Sequence, residues 1–196
     1  MSSAGKSAAD VDITGREVLV AVCGGIAAYK VCQVVSTLAQ RGAGVTVAMS
    51  RAARKFVGPV TFQALSGRPV LTSLWSLDNP GDVQHIKKTE NAEVLLVAPA
   101  TANIIGKASG GVADDVVSTL IISAASPVVL APAMNERMWA SAAVQANLAT
   151  LRQRGFHVVG PREGWLACRG VGPGRMAEPD ELVEVLVNIL QYTKAL

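Results

Sequence analysis

The chain is short of the residues that metal centres, disulfide frameworks and nucleic-acid platforms need. Its 196 residues include two histidines and three cysteines, Cys23, Cys32 and Cys168, in no zinc-ligand spacing. Neither a metal site nor a disulfide framework is expected. An odd number of thiols fits a reducing compartment, and the cytoplasm is the expected location. Aromatic residues make up 4%, the basic residues form no block, and the net charge is only +3. That combination gives neither a stacking platform nor a basic footprint, so nucleic acid is not an expected partner. No apolar run reaches the roughly 20 residues of a membrane span, so no membrane partner is expected either. The opening "MSSAGKSAADVDITG" has no hydrophobic segment and does not read as a signal peptide. Residues 1–15 read as a flexible tail and residues 16–196 as one domain.

What is present is an alternation of strands and helices. "REVLVAVCGG" is an apolar run that ends in glycines. "IAAYKVCQVVSTLAQRG" follows with apolar residues at helical spacing, then "AGVTVAMS" as a second strand. "NAEVLLVAPA", "SPVVLAPAMN" and "FHVVG" are further strands. "GPVTFQALSG", "TANIIGKASGG", "VADDVVSTLIISAA", "ERMWASAAVQANLATLRQRG" and "EPDELVEVLVNILQYT" read as helices, and "SLWSLDNPGDVQ" as a long loop. Continuous apolar strands between helices predict an α/β fold: a doubly wound, mostly parallel sheet with helices on both faces. Ligands in such sheets sit beyond the carboxyl ends of the strands.

The strand ends carry the polar chemistry. In "CGGIAAYK", Gly24 and Gly25 let the backbone approach a ligand, and the next helix offers free N–H groups to a phosphate. The pattern is neither a dinucleotide fingerprint nor a P-loop. Ser50 ends the second strand, where no acidic ribose clamp follows, which argues against a dinucleotide. His85, in "GDVQHIKK", is either a proton relay or a solvated helix-start residue. His157 lies at the opposite end of its strand and reads as structural. "APATANIIGK" and "APAMNERMW" place Asn103 and Asn135 at strand ends. There they either cap helices or bind a carboxylate, a phosphate or a flavin edge. Met134, Met138 and Trp139 line the apolar side or belong to the core. In "GWLACRGVGPGRM" the glycines and proline predict neither helix nor strand. That segment is an idle loop or a flap that carries Cys168.

Six stretches in order, from about Val18 to Leu190, resemble the flavin-containing cysteine decarboxylases. They are "GGIAAYK", "FVGPVTFQALSG", the "HI" at His85, "APATANIIGKASGGVADD", "APAMNERMW" and "ACRGVGPGRMAEP". The resemblance implies a flavodoxin-like or Rossmann-like fold. It also implies a homotrimer, or a dodecamer of four trimers, with FMN near the subunit interface. Gly24, Gly25, Ile26, Ser50, Thr61, Thr101, Ala102, Asn103, Ile104 and Ala133 would bind FMN, with Ser50 at its phosphate. His85 and Cys168 would be catalytic. Asn135 would orient the substrate carboxylate, with Met138, Ala167 and Arg175 also at the substrate; Arg169 or Arg175 is the candidate for a substrate phosphate. The family usually has glycine after the flap cysteine, where this chain has Arg169.

The implied activity oxidises the sulfur-bearing carbon of a cysteine so that CO₂ can leave through a thioaldehyde and an enethiolate. The flap favours 4'-phosphopantothenoylcysteine as substrate and 4'-phosphopantetheine as product, in coenzyme A biosynthesis. The alternatives are a precursor peptide with a C-terminal cysteine, a flavin prenyltransferase and a non-enzymatic flavin-binding regulatory subunit. The sequence as read closes on a helix with no ligase domain after it, which leaves two alternatives: a separate phosphopantothenate–cysteine ligase as partner, or a ligase domain fused in a longer protein.

Overall fold

The computed structural model describes residues 11–74 and 91–193. His85 and most of the segment read as a long loop lie outside the described residues. Five strands form one parallel sheet: β1 (Glu17–Val22), β2 (Gly44–Met49), β3 (Val94–Ala100), β4 (Val128–Pro132) and β5 (His157–Val158). Their order is β2-β1-β3-β4-β5, the flavodoxin order, in which the connections reverse direction between β1 and β3. Between the strands lie α1 (Ala28–Gln40), α2 (Pro59–Ser66), α3 (Ala102–Gly110), α4 (Val116–Ser123), α5 (Glu136–Trp139) and α6 (Ala142–Gln153), and α7 (Pro179–Tyr192) follows the last strand.

The alternation of side chains along β1 builds two cores. Val18, Val20 and Val22 pack with Val31, Val34 and Leu38 of α1 and with Leu182, Leu186 and Leu190 of α7. Leu19, Ala21 and Cys23 face the other way, onto Ile105 of α3, Leu120 of α4 and Leu148 of α6. In α1 and α7 the buried residues recur at the spacing of one helical stripe. A strand buried on both faces has no polar side, which is why these strands read as continuous apolar runs. Pro99 cannot donate to the ladder, and the β3–β4 register shifts between Val97 and Ala100, near the carboxyl end.

Three expectations need correction. "ERMWASAAVQANLATLRQRG" is two helices, because the chain turns extended at Ser141 (ψ 127) before α6 begins. "FHVVG" contributes only His157 and Val158 to the sheet. The glycine-rich C-terminal segment is regular after all. β6 (Arg162–Trp165) and β7 (Val171–Arg175) form an antiparallel hairpin apart from the main sheet. Main-chain pairing carries it, with Gly164 opposite Gly172 and Trp165 opposite Val171.

At the amino ends of the strands a charged clasp ties distant segments. The Glu93 carboxylate accepts from Arg16 Nε (2.6 Å) and from the Glu17 amide (3.0 Å). Arg16 Nη2 also donates to the Thr193 carbonyl (2.7 Å), just past α7. Burial pushes the Glu93 carboxyl up, but the bonds from Arg16 and Glu17 outweigh it and hold the pKa below the usual glutamate range. A depressed folded-state pKa gives stability that is present above the unfolded value and lost as pH falls through the folded one. Glu93→Gln is therefore expected to cost about 2 kcal/mol at pH 7. Urea titrations repeated at falling pH should also show a shallower loss of stability in acid; an acid limb as steep as wild type would contradict this role.

Candidate active site

The loop after β1 approaches the loop after β2 so closely that a Cβ at Gly24 would overlap Ala52. The Ser50 amide donates to the Val22 carbonyl (3.0 Å). Ser50 Oγ accepts from the Ala53 amide (3.2 Å), which leaves its own proton to donate outward. Helix α1 starts beside them with no capping side chain, at Ala27, and with no acid in its first turn. The Ala28 amide donates to the Gly25 carbonyl and the Lys30 amide to the Ala27 carbonyl (both 3.0 Å), and the positive end of the helix dipole still favours an anion there.

The neighbouring strand ends add amides and hydroxyls. Thr101 Oγ1 accepts from the Ile104 amide (3.4 Å) and so caps α3. Asn103 is not the cap; it sits exposed in the first turn. Asn135 does cap its helix, accepting from the Met138 amide at Oδ1 (2.8 Å). Its amide nitrogen has no protein partner among the described residues and remains a neutral donor.

The hairpin is pinned over this place by a bond from the Met134 amide to the Gly174 carbonyl (3.0 Å). Gly174 has φ 137, and a Cβ there would overlap the Met134 carbonyl oxygen. At the tip, the Leu166 amide donates to Gly170 O (2.8 Å) and the Arg169 amide to Leu166 O (2.9 Å). That is a three-residue hairpin loop, Ala167-Cys168-Arg169, whose last position must be left-handed. Arg169 is there at φ 65. A side chain in that region costs about 1–2 kcal/mol relative to glycine, the residue usual at this position in the family that the sequence resembles.

These elements enclose an open cavity of about 1470 Å³, larger than a site for one small ligand needs. Gly24, Gly25, Ile26 and Ser50 line it from the first two strand ends, and Thr101, Ala102, Asn103 and Ile104 from the third. Ala133, Asn135 and Met138 line it from the fourth, and Ala167, Cys168 and Arg175 from the hairpin. Thr61 is not brought here; it is exposed on α2. Trp139 packs against the second core. Cys168 is exposed and free, whereas Cys23 is buried at the floor. Burial pushes the Cys23 thiol far up, so it stays neutral and unreactive.

Sequence reasoning missed the ion pairs of the wall. Lys30 Nζ donates to both oxygens of Glu178 (2.9 and 3.2 Å), and Arg175 donates to the same carboxylate. The bond from Lys30 is the main cause that holds the Glu178 carboxyl below its usual range. Lys107 bonds Asp114 (2.6 Å) and Asp115 (2.7 Å). Burial lowers the Lys107 pKa, and the two aspartates more than reverse that, raising it overall. The one available signal was Lys30 itself, a cation in the first turn of a helix, where the dipole disfavours it.

A parallel sheet in flavodoxin order, with an uncapped helix start at the switch point and a hairpin over it, defines a flavodoxin-like α/β protein with a small-ligand site. The Flavoprotein family model matches residues 6–191, and the chain belongs to that family. It is 46% identical over 173 residues to the coenzyme A biosynthesis bifunctional protein CoaBC of Bacillus subtilis, covering 88% of this chain and 43% of that one. The chain thus spans less than half the length of the curated relatives it matches. Among solved structures it is similar to a mutant PPC decarboxylase complexed with pantothenoylaminoethenethiol (27% identity, TM-score 0.77, 90% of this chain and 98% of that chain). It is also similar to the FMN-dependent cysteine decarboxylase SpaF (29%, TM-score 0.76, 90% and 99%).

Arg169→Gly is expected to relieve the tip. Hydrogen exchange at the Leu166 and Arg169 amides should slow about fivefold, the equivalent of about 1 kcal/mol. Unchanged or faster exchange would show that the left-handed arginine carries no strain.

Proposed function

We propose that this chain is an FMN-dependent decarboxylase that converts 4'-phosphopantothenoylcysteine to 4'-phosphopantetheine and CO₂ in coenzyme A biosynthesis. One observation carries the reading: Cys168 at the hairpin tip and the Asn135 amide line the same cavity as the anion-ready start of α1. The cavity fits FMN in chemistry. Ser50 and the positive end of α1 suit its phosphate, while Thr101, Asn103 and the apolar Ile26, Ala102, Ile104 and Ala133 suit a flat ring with polar edges. Bound FMN supplies reversible two-electron chemistry at the carbon bearing sulfur.

The chain's own residues orient and protonate. Asn135, neutral and held by its cap bond, fixes the substrate carboxylate without stabilising its charge as a lysine would, so the carboxylate can still be lost. Cys168 delivers the proton that completes the saturated thiol, and closure of the hairpin over bound substrate excludes water around it. His85 takes a proton from the substrate or steadies its thiol. The rim residues Ile26 and Tyr29 are 60% and 61% exposed. Covering this apolar rim with further copies of the chain favours a trimer, or a dodecamer of trimers, working in the cytoplasm. Light scattering of the yellow protein should give the mass of three chains or a multiple; a monomer would contradict that assembly.

Two variants test the residue roles. Cys168→Ser is expected to bleach the flavin and release CO₂, yet to accumulate a product lighter by two hydrogens in the mass spectrum. His85→Asn should stay yellow when substrate is added. Saturated product at the wild-type rate from the first, or normal bleaching by the second, would overturn the corresponding role.

A further inference from the structure

Among the described residues four cationic side chains line the cavity: Lys30, Arg51, Lys107 and Arg175. Lys107 is matched by two carboxylates, Asp114 and Asp115. Lys30 and Arg175 instead share one, Glu178, which leaves a surplus positive charge. Both cations are held in place. The Lys30 side chain is only 15% exposed, and it stands in the first turn of α1, whose positive end disfavours a cation. Arg175 lies across Gly164, where a Cβ would come within 3.0 Å of Nη1 and 3.2 Å of Cδ. A cation at the positive end of a helix, paired with half a carboxylate's charge, is a local rule broken, and such breaks mark ligand sites.

Arg175 stands at the base of the hairpin whose tip carries the thiol. Cys168 is at the hairpin tip, and Arg175 is the last residue of β7, four residues beyond Val171. That run of β7 spans about 13 Å, and the turn back to Cys168 lies beyond it. In the proposed substrate twelve bonds separate the sulfur-bearing carbon from phosphorus, a reach of about 13–14 Å when extended.

We propose that Lys30 and Arg175 form a phosphate-monoester subsite for the far end of the substrate, with Glu178 as the anion that keeps both cations in position until the phosphate takes its place. The substrate runs from the hairpin tip toward its base, where the phosphate meets the cation pair. This rests on the decarboxylase reading above. Its distinctive consequence is that the two partners of one ion pair act in opposite directions. Arg175→Gln removes a charge-assisted contact to phosphate, while Glu178→Gln removes the competing carboxylate and keeps a hydrogen-bonding group.

The test compares kcat/KM for 4'-phosphopantothenoylcysteine and pantothenoylcysteine in the FMN-loaded protein. Arg175→Gln is expected to lower the preference for the phosphorylated thiol about tenfold. Glu178→Gln should raise that preference severalfold. Both variants should retain FMN at the wild-type ratio, read from the absorbance of the purified protein, because the cofactor phosphate belongs at Ser50. Equal preferences in all three proteins, a fall in both variants, or loss of FMN from Arg175→Gln with the preference unchanged would each overturn the inference. A wild-type protein that turns over neither thiol would refute the decarboxylase reading, and this inference with it. Turnover of both thiols at equal kcat/KM would refute this inference alone.

Discussion

Everything at the candidate site depends on β1 being paired on both sides. It runs parallel to β2 from Glu17 to Val22 and parallel to β3 from Val18 to Ala21. The helix that follows β1 packs into one core, and the helices that follow β3 and β4 pack into the other. The chain therefore leaves neighbouring strand ends in opposite directions, and a crevice opens between them. The glycine turn, Ser50, Thr101 and Asn135 need no individual explanation for being near one another, because the sheet order brings their loops to one edge.

Charge is distributed to match. The amino ends of the strands carry the Arg16–Glu93 clasp, which joins the first strand to the end of the last helix and holds the Glu93 carboxyl below its usual range. The carboxyl ends carry the positive end of α1, neutral donors and cations whose matching carboxylates sit on other elements. The two thiols at the cavity follow the same division. Cys23 is shut into the floor and neutral, and Cys168 is displayed on a hairpin with nothing around it to bury it.

Much of the fold was legible because the strands are apolar on both faces and the helices have single stripes, so the alternation of periods is plain in the sequence. The strand-end loops were legible for the same reason: glycine, proline, serine and asparagine interrupt apolar runs. The hairpin was not. Its strands contain three glycines and a proline across nine residues, and cross-strand main-chain bonds, which leave no side-chain pattern, hold it together. The Lys30–Glu178 bond was equally hidden, since it joins residues 148 positions apart and only the fold brings them together. Arg169 lies between these cases: the sequence marked it as the unusual residue, and its left-handed backbone supplies the physical reason that glycine is the easier choice there.

The proposed chemistry needs the thiol, the neutral amide and a two-electron cofactor in one enclosed place, and it predicts a single outcome for the unaltered protein. The most direct measurement is anaerobic turnover of the purified yellow protein with 4'-phosphopantothenoylcysteine, followed by flavin absorbance and mass spectrometry. The account predicts loss of CO₂, a flavin that is yellow again at the end, and saturated 4'-phosphopantetheine as the product. Substrate recovered intact, or an enethiol as the final product of the wild-type chain, would contradict it.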